Sequence, residues 1–311
     1  MASPADSVAA TRAVPRDPPH GPAVDAFLRS ALDEDVRDGD VTTEAAVAPE
    51  ARASARLVAK APGVIAGVGL FRRVFELLAP EVEFGRFLED GTHVAEGDLV
   101  GTFTGSARAL LTGERTALNL LQRLSGIATL TRRYVEAAAG GARILDTRKT
   151  TPGLRLLEKY AVRCGGGENH RIGLFDEAMI KDNHLDASGS SIAELVAKLR
   201  ERHGGMRITV EARDEAEARA AVQAGADVVL LDNLPDEELT RLTPILRESA
   251  AQRGSPVELE ASGGIDLSRI PSTARTGVDR ISIGALTHSA PALDLSLAVE
   301  MLPGGGSDPL G

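Results

Sequence analysis

Tryptophan is absent from the 311 residues, and tyrosine and phenylalanine number only two and seven. So small an aromatic surface argues against a protein that stacks nucleic-acid bases. Positive charge is also in deficit. There are 35 Lys and Arg against 45 Asp and Glu, a net charge of −10, whereas binders of nucleic acid or anionic membranes carry basic surfaces. Cysteine occurs once, at Cys164, which excludes an internal disulfide and fits a reducing, cytoplasmic setting. No apolar run approaches the ~18 residues that cross a bilayer. What is there is the composition of a folded chain, 43% hydrophobic and 26% charged residues. The length predicts two domains, or one large barrel with an appendage.

Residues 1–22 are rich in Ala, Pro and Asp and end in Pro18-Pro19-His20-Gly21-Pro22. With no apolar segment and with Asp6 and Asp17 opposing a transit peptide, they read as a disordered tail. The run Gly304-Gly305-Gly306 is expected to fray at the other end. Between them the first part alternates helical spacing (Val24–Asp35, Leu70–Leu78) with strand-like runs (Ala55–Ala59, Leu99–Phe103), as in a small α+β domain. Asp90-Gly91-Thr92-His93-Val94-Ala95-Glu96-Gly97-Asp98 resembles the turn-rich edge of a lipoyl-type sandwich, but it lacks the cofactor-bearing lysine and reads as structural. Gly113–Ala139 reads as one long helix with a break near Ser125-Gly126. Its apolar stripe is Leu120, Leu121, Leu124, Ile127, Ala128 and Val135.

Six short apolar runs come next: Ile144-Leu145, Ala178–Ile180, Ile208–Val210, Val228–Leu231, Val257–Ala261 and Ile281–Ile283. Amphipathic stretches such as Ile192–Arg202, Glu215–Ala224 and Asp236–Ala251 separate most of them, which predicts a parallel sheet, as an incomplete α/β barrel or a doubly wound fold. The polar residues after each run are the informative ones, because ligands of such folds bind at the carboxyl ends of the strands. They are Asp146-Thr147-Arg148-Lys149, Lys181-Asp182-Asn183-His184, Glu211, Asp232-Asn233, Ser262-Gly263-Gly264 and Gly284-Ala285. One such residue is an ordinary helix cap; six consecutive ends of this kind predict a functional rim.

The last two ends, Ser262-Gly263-Gly264-Ile265 and Ser282-Ile283-Gly284-Ala285, suit a phosphate, since glycine lets backbone amides approach an anion. Against the acidic whole, residues 148–171 hold six cations (Arg148, Lys149, Arg155, Lys159, Arg163, Arg171) and two carboxylates (Glu158, Glu168), with His170 in addition. A solvated helix face accounts for Arg155 and Lys159 but not for Arg148-Lys149 or for His170-Arg171 beyond three glycines. The expected ligand is small, several-fold anionic and phosphorylated. His93, His203 and His288 show no partner pattern and read as surface or cap residues. Cys164 reads as structural, and no spacing suggests zinc.

Thr147-Arg148-Lys149-Thr150-Thr151-Pro152-Gly153-Leu154-Arg155, Gly165-Gly166-Gly167-Glu168-Asn169-His170-Arg171 and Ile180-Lys181-Asp182-Asn183-His184 together resemble the quinolinate phosphoribosyltransferase family, the carboxylating nicotinate-nucleotide pyrophosphorylases of de novo NAD synthesis. Glu114-Arg115-Thr116-Ala117-Leu118-Asn119, Val210-Glu211, Leu231-Asp232-Asn233 and the run from Ser262 to Thr287 fit as well. The resemblance covers residues 24–300 or so and implies an α/β fold in parts. These are an N-terminal α/β sandwich domain (23–118), an open α/β barrel (119–287) and a C-terminal segment (288–311) packing back on the first domain.

It implies that quinolinate is held by Arg115, Arg148, Lys149, His170, Arg171 and Lys181, with Thr150 beside them. Lys149 and Lys181 act by charge. Glu211 and Asp232 hold the ribose hydroxyls and help to place Mg²⁺, carried mainly by pyrophosphate. Ser262, Gly263 and Gly264, with Ile283, Gly284 and Ala285, cradle the 5′-phosphate. The same resemblance implies a homodimer, with Arg115 reaching the partner's site; assembly of dimers into hexamers stays open. Three alternatives remain open from the sequence: a same-fold phosphoribosyltransferase for another substrate (nicotinate, or a molybdenum-transport-associated one), a Schiff-base barrel aldolase using Lys149 or Lys181, and a non-catalytic phosphosugar-binding module.

Overall fold

The computed structural model describes residues 18–303. Residues 1–17 of the expected tail and the glycine run at 304–306 lie outside them. The chain divides into two compact units, one running to Leu130 and resuming at Ala290, the other Thr131–Ser289. The first boundary falls inside a helix, against the 118/119 division expected from sequence.

The first unit begins with α1 (Pro22–Val36), where proline sits in the first turn and needs no N–H partner. It buries Leu28 and Leu32. α2 (Val41–Ala46) is capped by Asp40, whose Oδ1 accepts from Thr43 N at 3.0 Å. β1 (Arg52–Ala59) buries every second residue, Ala53, Ala55, Leu57 and Ala59, as a half-buried strand must. β2 (Gly63–Val64) pairs antiparallel with β4 (His93–Val94), and α3 (Val68–Leu78) lies between them in sequence. β3 (Glu83–Phe87) and β5 (Leu99–Ser106) complete an antiparallel sheet in the order β12-β1-β5-β3, in which β12 (Leu295–Met301) pairs with β1 from Ala53↔Met301 to Ala59↔Leu295. Five of the seven phenylalanines gather here. Phe71 and Phe75 of α3 meet Phe84, Phe87 and Phe103, with ring centroids 4.7–6.1 Å apart where they touch.

α4 (Ala107–Ala138) is one unbroken helix of 32 residues, so the break expected near Ser125-Gly126 does not occur. The two residues serve packing instead. Ser125 Oγ accepts from Ala66 N at 3.0 Å, and a Cβ on Gly126 would stand 2.0 Å from Pro291 O. The expected stripe is buried at Leu121, Leu124, Ile127 and Ala128; Leu120 and Val135 are only half-buried.

The second unit is a six-stranded, all-parallel sheet. Its strands are β6 (Arg143–Leu145), β7 (Ala178–Ile180), β8 (Ile208–Ala212), β9 (Val228–Asp232), β10 (Glu258–Ser262) and β11 (Arg280–Ser282). They match the six apolar runs. The helices between them are α5 (Arg155–Cys164), α6 (Asp182–Ser188), α7 (Ile192–Arg202), α8 (Glu215–Ala224), α9 (Asp236–Arg253) and α10 (Ile270–Thr273); α11 (Ala285–His288) comes after β11. Ser191 and Asp214 cap α7 and α8 with their side chains. The order is β6-β11-β10-β9-β8-β7, so β6 and β7 form opposite edges and do not pair. This is the open α/β barrel.

Candidate active site

The carboxyl ends of all six strands border one hollow of about 810 Å³. From β6 and its loop come Arg148 and Lys149; from the loop before β7, His170 and Arg171; from β7, Met179 and Lys181. Glu211 is the last residue but one of β8, Leu230 and Asp232 belong to β9, and Asn233 follows it. Ser262 ends β10, with Gly263 and Gly264 just after it; Ser282, Ile283, Gly284 and Ala285 lie at the end of β11 and beyond it.

The cations are held in place by buried chemistry below them. Asp146 and Lys159 have no exposed surface and form an ion pair. The expectation of a solvated α5 face therefore fails at Lys159, which is wholly inside. Asp146 Oδ1 also accepts from His170 N at 2.9 Å, and its Oδ2 accepts from Asn169 Nδ2 at 2.5 Å. Lys159 Nζ donates to His170 O at 2.9 Å. One buried pair thus ties the Arg148-Lys149 strand end to the His170-Arg171 segment. Burial pushes the Asp146 carboxyl up and the Lys159 amine down, while their mutual attraction opposes both.

The three glycines before Asn169 make the approach. Gly166 has φ +89°, and a Cβ on Gly167 would stand 2.8 Å from Thr131 Cγ2. Glu168 can then bridge to Leu145 at the edge of β6. Arg171 is 8% exposed, and burial together with the neighbouring Arg148 charge pushes its guanidinium down from the ordinary value. Its Nη1 reaches Glu177 O at 3.2 Å, and Arg148 Nε is buried with no hydrogen-bond partner. Two guanidiniums crowded in this way suit an anion.

Lys181 Nζ donates to Glu211 Oε2 at 2.5 Å. Asp232 Oδ2 accepts from Asn233 Nδ2 at 2.6 Å. Asn233 has φ +55° and donates its amide to Ser262 O at 2.9 Å, which joins the β9 end to the glycine loop. In that loop Gly263 and Gly264 both have positive φ, and a Cβ on Gly263 would meet Asn233 Oδ1 at 2.3 Å. No other residue type fits there. The amide of Ile283 is consumed by Leu145 O at 2.8 Å, so the second loop can offer only amides beyond it, at Gly284 and Ala285.

Thirteen of the fifteen residues singled out from sequence line this hollow; Thr150 and Arg115 do not. Thr150 Oγ1 accepts from Arg155 Nε at 3.0 Å, and Arg115 is exposed on α4 in the other unit. His93, His203 and His288 are all exposed, as expected, but His288 also lines the hollow, a place the sequence reading did not give it. Its Nε2 lies 3.2 Å from where a Gly284 Cβ would be. Position was the missing signal, since four residues on in a helix returns a side chain to the same face. Tyr134 and Asp266 also line the hollow without any sequence motif to mark them.

Residues 40–125 match the quinolinate phosphoribosyl transferase N-terminal domain, and residues 127–298 match the C-terminal domain. Among curated proteins, the chain is 45% identical over 273 residues to a probable nicotinate-nucleotide pyrophosphorylase [carboxylating] of Bacillus subtilis, covering 86% of this chain and 90% of that one. Among solved structures, NadC from Streptococcus pyogenes superposes with a TM-score of 0.86 at 40% identity, covering 92% of this chain and 100% of that one. The nicotinate-nucleotide pyrophosphorylase from Francisella tularensis gives 0.84 at 38% identity, covering 93% and 98%.

Proposed function

The chain belongs to the quinolinate phosphoribosyltransferase family, and from that premise we propose how its hollow joins quinolinate to phosphoribosyl pyrophosphate. The products are nicotinate mononucleotide, pyrophosphate and carbon dioxide. One observation carries the reading: Arg148, Lys149, Arg171 and Lys181, drawn from separate segments, share one hollow with two glycine loops. A pyridine dicarboxylate needs such a wall of cations, and a sugar phosphate needs such amides.

In this reading Arg148 and Arg171 orient the two carboxylates so that the ring nitrogen faces the ribose C1. Glu211 and Asp232 hold the ribose hydroxyls, and their charge favours the oxocarbenium-like transition state. Lys149 and Lys181 act as point charges on the departing and remaining anions. The amides of Gly263, Gly264, Gly284 and Ala285 take the 5′-phosphate, with His288 above Gly284. Once the nitrogen is alkylated, the pyridinium stabilises the electron pair left by the departing carboxylate, so no redox cofactor or Schiff base is required.

Among the described residues no three His, Cys, Asp or Glu cluster in a way that could hold a metal. Asp232 and Glu211 suit Mg²⁺ carried on pyrophosphate, contributing one or two carboxylates to a mostly phosphate-bound ion. When bound, that ion would neutralise charge on the leaving group. The aldolase alternative loses its footing, because Lys181 donates to Glu211 among charged groups, whereas a Schiff-base lysine sits in apolar surroundings. Among the described residues no helix is long and apolar enough to cross a membrane, and composition supports a cytoplasmic protein. Arg115, exposed and outside this hollow, suits a homodimer in which it completes the partner's site.

The test is an assay with quinolinate, phosphoribosyl pyrophosphate and Mg²⁺, monitoring nicotinate mononucleotide and released carbon dioxide, with nicotinate as the control. Turnover of nicotinate in preference to quinolinate would replace this reading with the same-fold alternative.

A further inference from the structure

The inside of a parallel α/β barrel is ordinarily filled by branched apolar side chains. Here β10 places Glu260 inside, one pleat below Ser262 and fully buried. Its Oε2 accepts from Arg280 Nε at 2.6 Å. Its Oε1 has no hydrogen-bond partner; the His170 Nε2 facing it at 3.5 Å is buried and unpartnered as well. Burial pushes this carboxyl up, but His170, Arg280 and the Ser282 hydroxyl together outweigh it and hold it at about 2. The carboxylate is therefore charged.

His170 is fixed at every polar atom except Nε2. Its N donates to Asp146, its O accepts from Lys159, and its Nδ1 accepts from Arg171 N at 2.7 Å. A backbone amide can only donate, so Nδ1 carries no proton and the ring proton sits on Nε2, aimed at Glu260. Nδ1 is thus taken by the Arg171 amide, and His170 borders the hollow.

We propose that Glu260 is a positioning residue for the reaction. It holds His170 in the Nε2–H form, and His170, through Nδ1, fixes the Arg171 backbone and so the place where the Arg171 guanidinium meets a substrate carboxylate. The 3.5 Å gap is longer than a charge-assisted hydrogen bond and closes with a small ring movement, as positioning contacts commonly do once substrate is bound. The proposal rests on the reading that Arg171 grips the acid.

A double-mutant cycle on the full-length protein tests it. Glu260→Gln substitutes a neutral hydrogen bond for a charged one and should raise KM for quinolinate about tenfold, with KM for phosphoribosyl pyrophosphate nearly unchanged. His170→Asn keeps an acceptor for the Arg171 amide but has no Nε2. In that background the same Glu260 change should alter KM for quinolinate by less than about twofold. An unchanged KM in the single variant, or an equal effect in both backgrounds, overturns the proposal, because a purely structural Glu260 acts without His170. The ¹⁵N ring spectrum of wild-type protein without substrate, with His170 assigned from the His170→Asn variant, decides the link even if Glu260→Gln fails to fold. An Nε2–H pattern supports the link, and an Nδ1–H pattern ends it. If that pattern is found and quinolinate is not turned over, only the assumed substrate is at fault.

Discussion

At the scale of single residues, the walls of this site depend on groups that never meet the ligand. Glu260 shows how directly that can be measured. Its folded value of about 2 lies below the ordinary 4.5, so the unfolded chain takes up the proton first as the solution is acidified. The stability it contributes is complete above about pH 4.5 and is lost as pH falls toward about 2. The denaturant midpoint of wild-type protein should therefore fall more steeply across that window than the midpoint of Glu260→Gln. Parallel curves would mean that the carboxylate is not held in its charged form. None of this is legible in the chain. Glu260 sits in an apolar run and His170 within the Gly165–Arg171 motif, and only folding brings them face to face. Lys159 escapes sequence reasoning for the same reason, because spacing puts it on α5 but does not say which face has water. Asp146 decides that, 13 residues earlier in the chain.

At the scale of elements, strand ends are the most readable feature. A parallel strand must stop where its apolar run stops, and the polar residues just beyond it face the rim. Glycines are less evenly readable. At Gly263 the sequence and the geometry agree, because the positive φ and the nearby Asn233 admit no side chain. Gly263→Ala should raise KM for phosphoribosyl pyrophosphate at least about tenfold and cost about 1–2 kcal/mol of stability, checked by steady-state kinetics beside thermal unfolding. Unaltered binding would remove this loop from the phosphate site. At Gly126 local punctuation suggests a break, since nothing local distinguishes a glycine that ends a helix from one that admits Pro291 from a distant segment. His288 is hidden differently. Its helix is four residues long, too short for periodicity to reveal.

At the scale of the molecule, a chain of net charge −10 concentrates cations in one hollow. The homodimer proposal makes Arg115 complementary to residues of that hollow in the other subunit. Arg115→Ala and Lys149→Ala proteins should each be nearly inactive. Mixed and reassembled, they should recover about a quarter of wild-type activity, because half the dimers are hybrid and each hybrid has one intact site. No recovery would place Arg115 in its own subunit's chemistry or outside the reaction.

The central claim is that the cationic wall grips a diacid, and it is tested most directly by direct binding of quinolinate and nicotinate to wild-type and Arg171→Met proteins. Wild type should prefer quinolinate, and Arg171→Met should reduce that preference about tenfold or more, since one charge-assisted carboxylate contact is lost. A preference that survives the substitution unchanged would contradict the account.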